Sequence, residues 1–400
     1  MNEIVLINIA GPDRPGLTHT ITEILAQYDV TILDIGQAVI HKHLTLGLLV
    51  QIAPAAHSAE AIKDLLFRAH ELSLQLKFTP VSEDEYEAWA AAQGKDRYII
   101  TLLSRSLSAE QMSRLCGVVT DSGLSIQGIT RLSGRPSLRN PPSQPRVGVE
   151  LQVRGQPAET MRAAFLELAR DLGMDVSFQK DDRYRRNRRL VCFDMDSTLI
   201  QAEVIDELAK EAGVGSQVAA ITESAMRGEL DFSESFHRRV ALLKGLPESR
   251  LAAVASRLSM TEGAERLILA LRGMGLKTAI LSGGFTYFGR RLQERLGIDF
   301  VHANELVIEG GVVTGEVREP IVDGKRKAAL LQEIASGEGI RLEQVIAVGD
   351  GANDLPMLAL AGLGIAFQAK PIVRERAQHA ISNLGLDGIL YLLGVRDREW

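Results

Sequence analysis

Leu190-Val191-Cys192-Phe193-Asp194-Met195-Asp196-Ser197-Thr198 is a run of four apolar residues that stops at a carboxylate, with a second carboxylate two positions on. An apolar run of that length, bounded by polar residues, reads as a buried strand, and ligands gather at the C-terminal strand ends of open α/β sheets. In an extended segment residues two apart project the same way, so Asp194 and Asp196 face one point beyond the strand. Two acids held that close need a cation, a shared proton, or both. Taken singly, either one also reads as the cap of a following helix.

Three further stretches have the same grammar. The strand Thr278-Ala279-Ile280-Leu281 runs into Ser282-Gly283-Gly284-Phe285, Lys327 opens an amphipathic helix, and the strand Val345-Ile346-Ala347-Val348 ends in Gly349-Asp350-Gly351-Ala352-Asn353-Asp354. Each has an ordinary reading: a tight turn, one of three solvated cations beside Lys325 and Arg326, a strand-to-helix loop. In this order, at strand ends and a helix start, they resemble the motif series of the haloacid-dehalogenase-like phosphotransferases. The match runs from Leu190 to about Asn383 without a departure at a motif residue.

That resemblance implies an α/β, Rossmann-like parallel-sheet phosphatase core, and roles follow from it residue by residue. Asp194 is the expected nucleophile, forming an aspartyl-phosphate. Asp196 is the expected general acid and then base. Ser282 and Lys327 would donate to the phosphoryl oxygens, with Asn353 and the Gly283 amide completing the cradle. Mg2+ is the expected cofactor, with ligands from Asp194, Asp350 and the backbone carbonyl of Asp196. Asp354 would orient Lys327 or a metal-bound water. From Leu267 onward helices alternate with strands, as a parallel sheet requires, and Glu305 to Val317, with Gly310-Gly311, reads as a hairpin.

Between Ala202 and Ser259 the periodicity turns helical, with Val204 and Leu208, then Val218, Ile221 and Ala225, then Phe236, Val240 and Leu243, then Leu251, Val254 and Leu258. An all-helical insertion after the first strand is similar to the cap of this family, about 202–260. Within it Glu203, Met226, Phe232 and Arg239 match one subgroup, the phosphoserine phosphatases. The resemblance implies that Glu203 receives the substrate ammonium and Arg239 clamps its carboxylate, a pairing suited to the guanidinium fork. Periodicity alone leaves Arg238 and Arg239 equivalent; Glu203 alone reads as an acid at a helix N-terminus, and Met226 and Phe232 as cap core. Two rival functions remain at this stage: a phosphatase for another small phosphomonoester, and a non-enzymatic amino-acid sensor.

A chain of 400 residues suggests two or three domains, and 46% hydrophobic with 24% charged residues is an ordinary globular composition. The net charge of -6 argues against nucleic acid or an anionic membrane as partner. No segment approaches the roughly 18 to 20 apolar residues of a membrane span. The N-terminus carries Glu3 where a leader peptide would be basic. Cys116 and Cys192 sit in apolar contexts that predict buried free thiols and a reducing cytoplasm, with a disulfide between them as the alternative. His41 and His43 share a strand face and read as surface rather than metal ligands.

Upstream of the core, strands and helices follow a βαββαβ order twice: Ile4 to Val81 and again Tyr98 to Gln179. Equal order and spacing suggest duplication. Both copies resemble ACT domains, ferredoxin-like modules that bind amino acids, and Gly11-Pro12-Asp13-Arg14-Pro15-Gly16-Leu17-Thr18 is the fuller signature; the second copy has Ser104-Arg105-Ser106-Leu107-Ser108 there. The resemblance implies an effector such as serine at Asp13, Gly16 and Leu17, and a homodimer through these modules. The expected boundaries are 1–85 and 96–180 for the copies, 181–189 for a linker and 190–400 for the phosphatase domain. Ser133 to Arg146 reads as a mobile hairpin loop, and Asp181 to Arg189, with five arginines, as a solvated tether.

Overall fold

The computed structural model describes residues 3–53, 58–92, 96–227 and 229–399; the Met226 side chain lies outside the described residues. The chain divides into two units, Met1–Lys95 and Asp96–Trp400.

The first unit runs β1 (Glu3–Pro12), α1 (Leu17–Gln27), β2 (Thr31–Ile40), β3 (His43–Ile52), α2 (Ser58–Glu71), β4 (Gln75–Val81) and α3 (Glu83–Ala91). Its sheet is antiparallel, in the order β2-β3-β1-β4. Strand β3 alternates buried and part-exposed residues, and α1 lays Leu17, Ile21 and Leu25 on the buried face, four residues apart as one helix stripe requires. The sequence reading places no helix where α3 stands. Its signal was the capping box, in which the Ser82 side chain accepts from the Glu85 amide and the Glu85 carboxylate accepts from the Ser82 amide.

The second unit opens with the same order: β5 (Arg97–Ser104), α4 (Ala109–Asp121), β6 (Ser125–Arg131), β7 (Val147–Arg154), α5 (Met161–Leu172) and β8 (Met174–Lys180), in a sheet β6-β7-β5-β8. Here alternation gives way to burial on both faces, Ile99 to Ser104 of β5 being buried throughout. The second face is covered by the C-terminal part of the chain. A side chain at Gly148 of β7 would come within 2.6 Å of the Tyr391 ring, so only glycine admits that approach.

One sequence expectation fails at this junction. Asp181 to Arg189 is no solvated tether: Arg185 is 1% exposed and donates to Glu150 of β7 at 2.6 Å, and the Asn187 carbonyl accepts from Gln344 at 3.0 Å. The Ser133 to Arg146 segment is the expected hairpin loop, exposed from Gly134 to Gln144 and tied at both ends. Arg146 ion-pairs the fully buried Asp387, and the Gly134 amide donates to Asp397 at 2.6 Å. In both places the partners come from sequence-distant segments, which local composition does not register.

The remainder comprises β9 (Leu190–Phe193), α6 (Val204–Glu211), α7 (Gly215–Met226), α8 (Phe232–Ala241), α9 (Glu248–Arg257), α10 (Ala264–Gly273), β10 (Lys277–Phe285), α11 (Thr286–Leu296), β11 (Phe300–Asn304), the hairpin β12 (Leu306–Glu309) and β13 (Val312–Val317), α12 (Gly324–Gly337), β14 (Val345–Gly349), α13 (Leu355–Leu360), β15 (Leu363–Phe367), α14 (Pro371–Arg376), β16 (His379–Ile381) and α15 (Ile389–Leu392). The sheet is parallel in the order β11-β10-β9-β14-β15-β16. Strand β9 is central and buried on both faces: Val191 and Phe193 join the core shared with the cap and α10, Leu190 and Cys192 the core under α12 and α13. Helices α6 to α9 form the cap between β9 and β10.

Candidate active site

The chain leaves β9 toward β10 on one side of the sheet and β14 on the other, so the end of β9 lies where strand order reverses. Crevices open at such points. Asp194 follows β9 directly, Ser282 lies near the end of β10, and Asp350 follows β14. Register places Phe193 beside Ile280 and Val348, which brings the three strand ends level.

Asp194 is fixed at both carboxylate oxygens. Its Oδ1 accepts from the Met195 amide at 2.7 Å, and its Oδ2 lies 2.8 Å from Lys327 Nζ. Lys327 is 0% exposed and also donates to Asp354 Oδ1 at 2.7 Å, while the other Asp354 oxygen accepts from the Gly351 amide at 2.9 Å. Burial by itself would discharge the ammonium, but Asp194 and Asp354 outweigh it and raise Lys327 above its ordinary value. The sequence leaves three adjacent cations; the Asp323 cap, accepting from the Arg326 amide at 2.7 Å, sets the phase of α12 so that Lys327 points inward and Arg326 outward to Glu333.

The acids around Lys327 are crowded. One carboxylate oxygen each from Asp194, Asp350 and Asp354 lie within 4.8 Å of one another. Desolvation, then Asp194 and Asp354, push Asp350 up to about 8; desolvation and Asp194 push Asp354 up to about 6. Thr198 donates to Asp350 at 3.2 Å. Asp196 is buried, its Oδ1 finds no hydrogen-bond partner among the described residues, and desolvation with Glu203 and Asp194 raises it well above the usual carboxylate range. A set of hard oxygen donors with one protein cation among several acids, and one carboxylate oxygen without a partner, fits a small divalent cation such as Mg2+. Asp354 lies in the cluster and accepts from Lys327, the geometry expected of an acid that orients that lysine. The Asp196 side chain is not among the clustered oxygens.

Two glycines make room for the chemistry. A side chain at Gly284 would come within 2.7 Å of Asp196 Oδ2, and one at Gly283 would meet the end of the Phe232 ring at 3.4 Å and the Asn353 amide nitrogen at 3.9 Å. Phe232 of the cap and Asn353 of the core therefore approach the same loop. Ser282 Oγ accepts from the Gly284 amide at 2.9 Å, curling the loop. Asn304, which the sequence reading missed, holds that loop by donating to the Gly283 carbonyl at 2.8 Å and accepting from the Val322 amide at 2.7 Å. Its signal was position: a polar residue ending β11.

Glu203 and Arg239 stand on the cap side. Glu203 accepts from Ser197 at 2.7 Å, and Ser197 takes the left-handed backbone, φ 54°, a strained choice for serine that turns the chain after Asp196. Desolvation and Asp194 raise the Glu203 carboxyl. Arg239 is half-buried and its Nε donates to the Ser235 carbonyl at 3.3 Å; desolvation lowers it, while Asp206 and Glu203 oppose. Arg238 instead faces solvent and pairs with Glu234. In the first unit, Gly16 has φ 87° at the start of α1 and Asp13 is exposed, whereas Leu17 is 5% exposed in the core, which leaves its backbone alone for any effector.

Residues 3–79 match the ACT domain model and residues 191–359 match the haloacid dehalogenase-like hydrolase model. The phosphoserine phosphatase of Streptomyces coelicolor is 41% identical over 99% of this chain and 93% of its own length. That of Mycobacterium tuberculosis is 41% identical over 99% and 94%. A crystal structure of a hydrolase of the same superfamily from Salmonella enterica serovar Typhi superposes with a TM-score of 0.63, at 33% identity, over 74% of this chain and 98% of that one.

Proposed function

The chain belongs to the phosphoserine phosphatases of the haloacid dehalogenase-like hydrolases, and from that premise we propose how its own residues divide the hydrolysis of O-phospho-L-serine to L-serine and phosphate. Asp194 attacks phosphorus with one carboxylate oxygen, and the bond from phosphorus to the serine oxygen breaks. Asp196, whose crowded and desolvated carboxyl favours the protonated form, gives its proton to the departing oxygen. Now ionised, it takes a proton from water, which attacks phosphorus and frees Asp194. Lys327 and Ser282, with the Gly283 amide and Asn353, hold the phosphoryl oxygens throughout. When bound, Mg2+ supplies the positive charge that lets an anionic carboxylate approach an anionic ester, and Asp194, Asp350 and the Asp196 carbonyl would hold it.

The cap confers selectivity. Glu203 takes the ammonium and Arg239 the carboxylate of the serine moiety, while Phe232 closes over Gly283. The observation that carries this reading is the buried ammonium of Lys327, which bridges Asp194 and Asp354 at the end of the central strand. Rapid acid quench of the enzyme with radiolabelled phosphoserine and Mg2+ tests it. The label is expected on the peptide containing Asp194, and Asp194→Asn should lose both label and turnover while melting within a few degrees of wild type. Label on another residue, or Asp194→Asn turnover within tenfold of wild type, sinks the assignment.

Around this chemistry, the exposed apolar residues Ile35 and Ile40 on edge strand β2 support pairing of the first unit with a second copy, and Asp13 and Gly16 in the β1–α1 loop are the proposed contacts for an amino-acid effector. Cys116 and Cys192 are free thiols, in keeping with a reducing compartment. Among the described residues no helix is long and apolar enough to cross a membrane.

A further inference from the structure

The cap joins the core through two short segments that lie side by side. Gln201 donates its amide to the Ser259 carbonyl at 2.9 Å, Thr261 donates to the Leu199 carbonyl at 3.0 Å, and Ile200 and Met260 form an antiparallel bridge between them. The outgoing segment is anchored in the catalytic motif itself, because the amides of Leu199 and Ile200 both donate to the carbonyl of Met195, at 2.9 and 3.1 Å, between the two acids. Any tilt of this two-stranded base swings Glu203 and Arg239 relative to Asp194.

The returning segment continues into Glu262, and Glu262 is gripped from the second ACT-like copy. Arg105 donates from two guanidinium nitrogens to its two carboxylate oxygens, at 2.8 and 2.5 Å, a fork-on-fork pair with defined orientation. The pair is only about one-third exposed. Arg105, then Arg146 and Arg266, hold the Glu262 carboxyl below its ordinary range. The Glu262 backbone is equally constrained: its carbonyl accepts from the Leu386 amide at 2.8 Å, and a side chain at Gly385 would come within 2.5 Å of it. Arg105 lies in the β5–α4 loop, the counterpart of the loop that holds Asp13 and Gly16 in the first copy. In the second copy that loop reaches the base of the cap instead of resting in solvent.

We propose that Arg105 is a positioning residue of this phosphatase: through its fork on Glu262 it fixes the base of the cap, so that the second ACT-like copy sets the balance between open and closed cap. The selectivity it serves rests on the reading of Glu203 and Arg239 as the substrate clamp. Loosening the base lowers the closed fraction, and the apparent affinity for a ligand held by the closed cap falls by that fraction. Once substrate saturates the enzyme the closed form is populated again, so KM moves and kcat moves little.

The test uses the full chain with Mg2+, two substrates and amide hydrogen exchange. Arg105→Gln should raise KM for phosphoserine at least fivefold with kcat within twofold. It should leave both constants for p-nitrophenyl phosphate, which has neither ammonium nor carboxylate, within twofold. Exchange at the Gln201 and Thr261 amides should accelerate at least fivefold. Arg105→Lys, retaining charge without the fork, should fall between, and Arg105→Gln combined with Glu262→Gln should be no worse than the more affected single variant, since each acts through the other. A phosphoserine KM within twofold of wild type, unchanged exchange at the base, or equal losses on both substrates overturns the proposal. Exchange does not depend on the substrate assignment, whereas Arg239→Ala with the same two substrates tests the clamp separately.

Discussion

Asp196 and Asp194 are the same residue type two positions apart, and their surroundings differ as the tasks proposed for them require. Asp194 is held by a fully buried ammonium and an amide; Asp196 lies beside other carboxylates in a desolvated corner, which favours its proton. An acid that both protonates the leaving oxygen and activates water should show two separable defects when removed. With p-nitrophenyl phosphate, whose leaving group needs no proton, Asp196→Asn should release a burst of one nitrophenolate per site and then turn over about 10²- to 10⁴-fold more slowly than wild type. Stopped-flow absorbance reads both. No burst, with steady turnover near wild type, would remove Asp196 from the base role. The residue pair was legible in the sequence because its spacing and its place at a strand end are local properties. Which of Lys325, Arg326 and Lys327 enters the site was not, since only the phase of α12 against the sheet decides it.

At the level of elements, α8 shows how a helix face separates two adjacent arginines. Phe236 and Val240 are buried four residues apart, and this orients the helix so that Arg239 is half-buried while Arg238 pairs with Glu234 on the outer face. A guanidinium matched to a carboxylate makes two parallel hydrogen bonds that an ammonium does not. Arg239→Lys should therefore raise KM for phosphoserine roughly tenfold or more, the scale of one lost charge-assisted hydrogen bond. Initial-rate kinetics check this, and a KM unchanged within twofold would move the carboxylate contact to another residue. Periodicity found the helix but left both arginines available, because they are neighbours and the apolar stripe lies to one side of each.

Across the molecule, the second ACT-like copy and the phosphatase core share buried polar contacts, so the stability of one is tied to the other. Asp175 of β8 accepts from the Ser382 and Asn383 amides at 2.8 and 2.9 Å, and Ser177 Oγ lies 2.9 Å from Nδ1 of the buried His379 on β16. Desolvation, then Arg188 and Arg162, push His379 down to about 4 from an ordinary 6.5. Below pH 6.5 the unfolded chain binds a proton there that the folded chain refuses until about pH 4. The contribution is thus level above pH 6.5 and is lost as pH falls from about 6.5 to about 4, by up to about 3 kcal/mol. Urea unfolding of wild type and His379→Gln at pH 7.5 and 4.5 should show the wild type losing more stability on acidification than the variant. Parallel losses would mean that His379 titrates normally in the folded protein.

The sequence by itself determined the strand ends, the order of the motifs, the helical cap and the doubled βαββαβ pattern. Each of these is written in periodicity or in residues close together along the chain, and a hydrophobic period of two or near four survives whatever the rest of the molecule does. It also grouped Asp194, Asp196, Ser282, Lys327 and Asp350, through the resemblance of the motif series to a known family; a parallel sheet delivers the strand-end residues to one edge, and Lys327 joins them from a helix start. Only the tertiary structure decided that Arg185 and Arg188 belong to a packed junction and not to a tether, that Asn304 braces the Gly283 loop, and that Arg105 reaches Glu262 from 157 residues away. The reason is the same in each case. A charged or amide side chain is solvated or buried according to the partner it meets, and these partners are supplied by distant segments through packing that no local pattern encodes.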